Sequence, residues 1–162
     1  MSLHIQVEVP TQQLSVLDGR GRVVLQRTVS TAARGVGEQQ DSERTPRGRH
    51  VVRAKIGAGA APNTVFRARR PTGELYTPAL GRRHPERDWI LTRILWLSGN
   101  EPGFNRGGRV DTMRRFIYIH GAPDEDPMGL PSSHGCIKMR NADVIELFDL
   151  VPLGTPVIIR GG

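Results

Sequence analysis

The chain has 162 residues, of which 37% are apolar before its 19 glycines are counted, enough for one ordinary hydrophobic core. Its 23 lysines and arginines outnumber 16 acidic residues, and the resulting net charge of +7 is mostly arginine, a side chain suited to carboxylates and phosphates. No stretch approaches the ~20 apolar residues of a membrane helix, a lone cysteine rules out an internal disulfide, and arginines scattered through turns with only 5% aromatics lack any nucleic-acid-binding signature.

One domain spanning 1–162 is expected. The start, Met1-Ser2-Leu3-His4-Ile5, enters a strand pattern with no charged segment followed by an apolar one. The expected location is therefore cytoplasmic, or periplasmic if a leader has been trimmed away.

Strand signals come first along the chain. Ile5, Val7 and Val9 alternate with polar residues, Leu14 to Leu17 follows Pro10, and Val23 to Ser30 follows the turn Asp18-Gly19-Arg20-Gly21, which reads as an antiparallel meander. Ala33 to Glu43, rich in Gly, Gln and charge, is a loop; Thr45-Pro46-Arg47-Gly48 then introduces a strand over His50 to Ile56. After a Gly/Ala loop from Gly57 to Asn63, strands are expected at Trp89 to Leu97 and Phe116 to His120, separated by a loop over Glu101 to Arg109. Helical spacing is convincing once, where Val144, Leu147, Phe148 and Val151 follow Asn141 as N-cap, with Asp143 in the first turn and Pro152 and Gly154 as stops. Pro156 to Ile159 closes a mainly β chain with one principal helix.

The residues with chemistry cluster late. Ser133-His134-Gly135-Cys136-Ile137-Lys138-Met139 follows Ile117-Tyr118-Ile119-His120-Gly121. A free thiol has a pKa of ~8.5, so a cysteine nucleophile needs an imidazole or a helix N-terminus beside it. His120 ends an apolar strand and meets Gly121, which places it at a strand-to-loop edge as a candidate base for Cys136. Gly135 lacks a Cβ, so a carbonyl can approach the N–H groups of Gly135 and Cys136 as an oxyanion site. The loop from Ala122 to Ser133 is long enough to bring Cys136 back beside His120. His134 either orients substrate and assists the thiol or is a satisfied neighbour, and its i, i+2 spacing decides neither. A core cysteine is the bland alternative, opposed by the small and polar flanks. A metal site from His120, His134 and Cys136 with His84 or Asp124 lacks the paired ligand spacing of such sites.

These motifs resemble the catalytic signature of the YkuD-type L,D-transpeptidase family. The likeness extends over Val29-Ser30-Thr31, Thr45-Pro46-Arg47-Gly48 and Asp143 to Ile159, nearly the whole chain. It implies a β-sandwich-like catalytic fold and a thioester on Cys136, formed by attack on the bond between meso-diaminopimelate and D-alanine in a peptidoglycan tetrapeptide stem. Transfer to water would make an L,D-carboxypeptidase of peptidoglycan recycling, the reading favoured by the absent leader; transfer to an amine would make an L,D-transpeptidase. By the same likeness His120 is the base, the Gly121 backbone orients it, and Gly135 and Cys136 form the oxyanion hole; His134 is counted with them as a candidate catalytic residue. Ser133, Lys138, Arg140 and Tyr118 are the candidate substrate contacts, Lys138 standing where the family usually has Arg or Asn. The implied partners are tetrapeptide stems or soluble muropeptides, with carbapenem-type inhibitors. No metal or organic cofactor, no nucleic acid and no membrane is expected.

Overall fold

The computed structural model describes residues 2–161. Three short strands open the chain: β1 (His4–Glu8), β2 (Gln13–Leu17) and β3 (Val23–Thr28), paired as the expected meander. β4 (Gly48–Ile56) follows the first long loop, then the hairpin of β5 (Thr64–Arg67) and β6 (Arg70–Leu75), which the sequence left unassigned. A short helix α1 (Pro78–Arg83) comes next; Thr77 caps it by accepting a hydrogen bond from Leu80 N–H, and Pro78 occupies the first turn, where its missing N–H costs nothing. β7 (Ile90–Gly99), β8 (Tyr118–Gly121), β9 (Ile137–Met139), α2 (Asn141–Leu150) and β10 (Pro156–Arg160) complete the order.

All ten strands form one mainly antiparallel sheet, in the order β3-β2-β1-β10-β4-β7-β5-β6, with β8 and β9 branching from β7. Two pairs are parallel, β1 with β10 and β8 with β9. Ser30, just past β3, bridges Lys138 of β9, so the sheet curls and its first edge meets its branch. Within the curl, every second residue points into one core: Ile5 and Val7, Leu14 and Val16, Leu95 and Leu97, Ile117 and Ile119, Ile137 and Met139, Val157 and Ile159. Val144, Leu147, Phe148 and Val151 of α2 pack into it at the helical spacing read from sequence. This mainly β fold with one principal helix after the cysteine is the one expected.

Several boundaries moved for physical reasons. Phe116 has φ +58°, in the left-handed region, so it turns the chain and β8 starts at Tyr118. Arg140, extended at φ −62° and ψ 147°, takes the N-cap position, which makes Asn141 the first helical residue and frees its side chain to point inward.

Candidate active site

The alternation that builds the core also builds a second face. Along β8 and the residue before it, Ile117 and Ile119 point into the core, whereas Tyr118 and His120 point the other way; along β9 and the residue before it, Ile137 and Met139 point in, and Cys136 and Lys138 out. Parallel register places His120 opposite Lys138, and Ile119 opposite Ile137. His120 and Cys136 thus share one face of adjacent strands, beside Ile94 and Trp96 of β7. The connection from Ala122 to Ser133 is the crossover that parallel pairing requires.

His120 is 1% exposed, and burial lowers its pKa below the usual histidine range. Its Nδ1 lies 2.6 Å from the carbonyl oxygen of Gly121. A carbonyl only accepts, so Nδ1 carries the proton and Nε2 the free lone pair, the tautomer a general base needs. Behind Gly121 sits a buried polar cluster. Thr92, at φ +75° in an irregularity of β7, donates its hydroxyl to Asn141 Oδ1 at 2.6 Å and accepts from Asn63 N–H. Asn141 Nδ2 donates to the Ala122 carbonyl at 2.9 Å and to Asn63 and Asp124 side chains. A Cβ on Gly121 would collide with Asn141 Oδ1 and the Leu91 carbonyl, so glycine is required by close approach.

Cys136 does not sit at a helix N-terminus, because β9 separates it from α2. Its Sγ accepts from Tyr118 N–H at 3.3 Å and donates to the Phe116 carbonyl at 3.4 Å; among the described residues no hydrogen bond joins it to His120. Burial pushes the thiol up to about 12, against the N–H of Tyr118 and the charges of Arg115 and Lys138. Raising the thiol and lowering the imidazole both favour the neutral pair. The nucleophile–base hydrogen bond has to form when substrate arrives.

The loop before Cys136 is locked from within. Ser133 Oγ accepts from Gly135 N–H at 3.1 Å and donates to the Cys136 carbonyl, and Thr45 Oγ1 donates to the Gly135 carbonyl at 2.9 Å. Gly135 has φ +133°, and a Cβ there would press on Ile117 Cδ1 at 3.2 Å. The Gly135 N–H that the sequence assigned to an oxyanion is thus already bonded to Ser133, while the Cys136 N–H has no partner among the described residues. Ser133 is 5% exposed and bonded on both sides, which removes it from the substrate contacts. Val29-Ser30-Thr31 holds the same loop, through Gly129 N–H to the Val29 carbonyl and Ser132 and Ser133 N–H to the Thr31 carbonyl.

Other candidates are dispersed. Lys138 is nearly buried and paired with Asp126 at 2.8 Å, so its ammonium fastens the crossover instead of meeting solvent. Arg140 is exposed at the start of α2. Tyr118 is buried, its Oη accepting from Arg69 at 3.1 Å. His134 is well exposed, with Nδ1 3.8 Å from Asp88 Oδ1. That pair stands between two cavities. One, of about 460 Å³, is lined by Phe66, Arg67, His84, Glu86, Arg87 and Asp88; the other, of about 300 Å³, has Asp41, Glu43, Arg114, Arg115, Phe116 and His134 in its wall, so each sets two arginines against two carboxylates. Among the described residues no three His, Cys, Asp or Glu side chains converge to hold a metal ion. Asp88, Arg69, Thr92 and Asn63 carry no local motif; only the fold brings them to this face.

A curled sheet presenting a thiol and a tautomer-fixed imidazole on adjacent strands has the equipment of a cysteine acyl-transfer enzyme. The family model YkuD, the L,D-transpeptidase catalytic domain, matches residues 2–159. The chain belongs to this family. The putative L,D-transpeptidase YqjB of Bacillus subtilis is 33% identical over 115 residues, 71% of this chain and 51% of the relative, so the match spans about half that relative's length. In fold, the chain is similar to an L,D-transpeptidase from Mycobacterium smegmatis (TM-score 0.57, 18% identity, 99% of this chain and 59% of that one). It is also similar to L,D-transpeptidase 3 from Mycobacterium tuberculosis in complex with a faropenem-derived adduct (TM-score 0.58, 17% identity, 98% of this chain and 60% of that one).

Proposed function

We propose that the protein cleaves the bond between meso-diaminopimelate and D-alanine in peptidoglycan tetrapeptide stems through a thioester on Cys136. The observation that carries this reading is the shared face of β8 and β9, with His120 held by the Gly121 carbonyl in the tautomer that leaves Nε2 free. Attack of Sγ on the carbonyl carbon forms the S–C bond as the thiol proton passes to Nε2. The tetrahedral oxyanion meets the unpartnered Cys136 N–H, and His120 then returns the proton to the departing D-alanine amine.

For the second half of the reaction we favour water, an L,D-carboxypeptidase releasing D-alanine from soluble stems. Support comes from economy: water needs no acceptor site, whereas an amine must be held with water excluded. Transpeptidation is the second reading, favoured by there being two cavities, room for a donor and an acceptor strand on either side of His134. Incubation with a disaccharide tetrapeptide, followed by mass analysis, separates the two. Tripeptide is expected; a cross-linked dimer, or exchange of D-alanine without tripeptide, makes the enzyme a transpeptidase, and no Cys136-dependent product removes the proposal. The likeness to a structure with a faropenem-derived adduct supports acylation of Cys136 by penem and carbapenem inhibitors, detectable as one adduct mass.

A further inference from the structure

The substrate contacts read from sequence give an anionic stem no free cation, since Lys138 is paired and Arg140 lies at the exposed start of α2, and Arg115, whose charge reaches the thiol, spends its guanidinium on the Gly37 and Arg44 carbonyls and the Ser42 hydroxyl. The structure supplies one elsewhere. Arg69 sits at the tip of the β5–β6 hairpin, half-buried, with its guanidinium carbon 5.0 Å from the ring centre of Trp96 and 4.8 Å from that of Phe116. The two rings, themselves 6.1 Å apart, hold it by their π faces. It donates a single hydrogen bond, to Tyr118 Oη, and among the described residues no carboxylate is within ion-pair distance. Arg27, Arg47 and Arg87, by contrast, each have one. A guanidinium offers five N–H groups, so most of this fork is unused.

Its place is specific. The Tyr118 N–H bonds Cys136 Sγ and the Phe116 carbonyl accepts from the same sulfur, so the Phe116 ring and the Tyr118 phenol that position Arg69 belong to residues that also touch the nucleophile. The guanidinium stands one tyrosine side chain from the thiol. The hairpin turn is unusual as well: Ala68 and Arg69 occupy its two central positions with φ of +48° and +63°, where Asn-Gly is the low-energy choice. An arginine kept at a position of backbone strain, clamped but unpaired, is arranged to meet an anion.

We propose that Arg69 is the carboxylate-binding residue of this site, pairing through its free N–H fork with a carboxylate of the stem near the scissile bond. The inference rests on the stem-cleaving function proposed above. Two stem carboxylates belong to the residues that flank the scissile bond, that of the leaving D-alanine and that on the D-centre of diaminopimelate.

The test measures kcat/KM for wild type, Arg69→Met and Arg69→Lys on the native disaccharide tetrapeptide, on its D-alaninamide form, and on the form amidated at the diaminopimelate D-centre. Arg69→Met keeps the stem on the rings and removes the fork. It is expected to lose ~10–100-fold on the native stem, with Arg69→Lys intermediate, and to lose nothing further on whichever amide lacks the recognised carboxylate. Equal losses on all three substrates, or no loss on the native stem, overturn the inference while leaving the proposed function standing. Calorimetric titration of the same stems into Cys136→Ala, with and without Arg69→Met, is independent of turnover. Arg69-dependent binding by an enzyme that turns over no stem upholds the carboxylate site and sinks the proposed function; Arg69-independent binding, or none, overturns the site.

Discussion

The Asn141 side chain lies against the Cα of Gly121, the residue whose carbonyl fixes the His120 tautomer. A substitution that enlarges Gly121 therefore acts on the base without touching it. We expect Gly121→Ala to lower stability by ~1–3 kcal/mol, the usual cost of overpacking, and to lower kcat more than it raises KM, because the carbonyl is pushed off Nδ1. Denaturant unfolding and steady-state kinetics check both. Wild-type stability with wild-type kcat would mean that Asn141 gives way and that the packing does not set the imidazole.

Cys136→Ala is expected to fold as the wild type does and to lose all turnover, since no other strong nucleophile lies on this face. His120→Ala should approach the same loss. His134→Ala should cost far less, because that ring is exposed and only loosely near Asp88. Penem or carbapenem treatment followed by intact-mass analysis should add one adduct to wild type and none to Cys136→Ala. An adduct on the Ala variant would move the nucleophile elsewhere.

How much of this was legible in sequence follows from what each signal depends on. Alternation is local, so β1 to β4, β7, β10 and the Val144–Val151 helix stripe were readable, and so were Cys136 and His120, whose neighbours are unusual in composition. The β5–β6 hairpin was not, because Thr64–Arg67 is only four residues long, Arg70–Leu75 carries arginine and proline on an exposed edge, and the two turn through Ala68-Arg69 without Asn or Gly. β9 is three residues long and was hidden inside the catalytic motif. The charge states were out of reach for another reason: the packing of Cys136 against Phe66, Ile94 and Tyr118, which raises its thiol, is a property of the folded sheet.

A loss of stability on mild acidification is expected from His50. It is fully buried, its Nδ1 donating to the Gly48 carbonyl at 3.0 Å and its Nε2 accepting from Thr112 Oγ1 at 2.9 Å, and burial lowers its pKa to about 4. An unfolded chain takes up this proton as pH falls through the ordinary value of 6.5, while the folded protein refuses it until about 4. The contribution is whole above pH 6.5 and shrinks between 6.5 and 4, by up to about 3 kcal/mol. His120, also lowered, adds in the same direction. Urea unfolding at pH 7.5 and 4.5 should show this drop, and His50→Gln should flatten part of it; identical slopes in the two proteins would assign the acid sensitivity elsewhere.

The last expectation separates a neutral thiol–imidazole pair from a preformed ion pair. With burial holding the Cys136 thiol above its ordinary range, little thiolate is present at pH 7, and its fraction rises tenfold per pH unit. Alkylation by iodoacetamide, which needs the thiolate, should therefore climb with unit slope through pH 9 and show no plateau near neutrality. Acylation by substrate has a different requirement, because the thiol proton moves to Nε2 of His120 as the S–C bond forms. That step needs the thiol protonated and the imidazole neutral, a condition met across pH 7 to 9 given a thiol raised by burial and a histidine lowered by it. Over that range kcat/KM should stay level while alkylation rises roughly a hundredfold. An alkylation curve that levels off with a midpoint below pH 7 would establish a resting thiolate–imidazolium pair, and the activation by substrate argued from the Phe116 and Tyr118 contacts would fall with it.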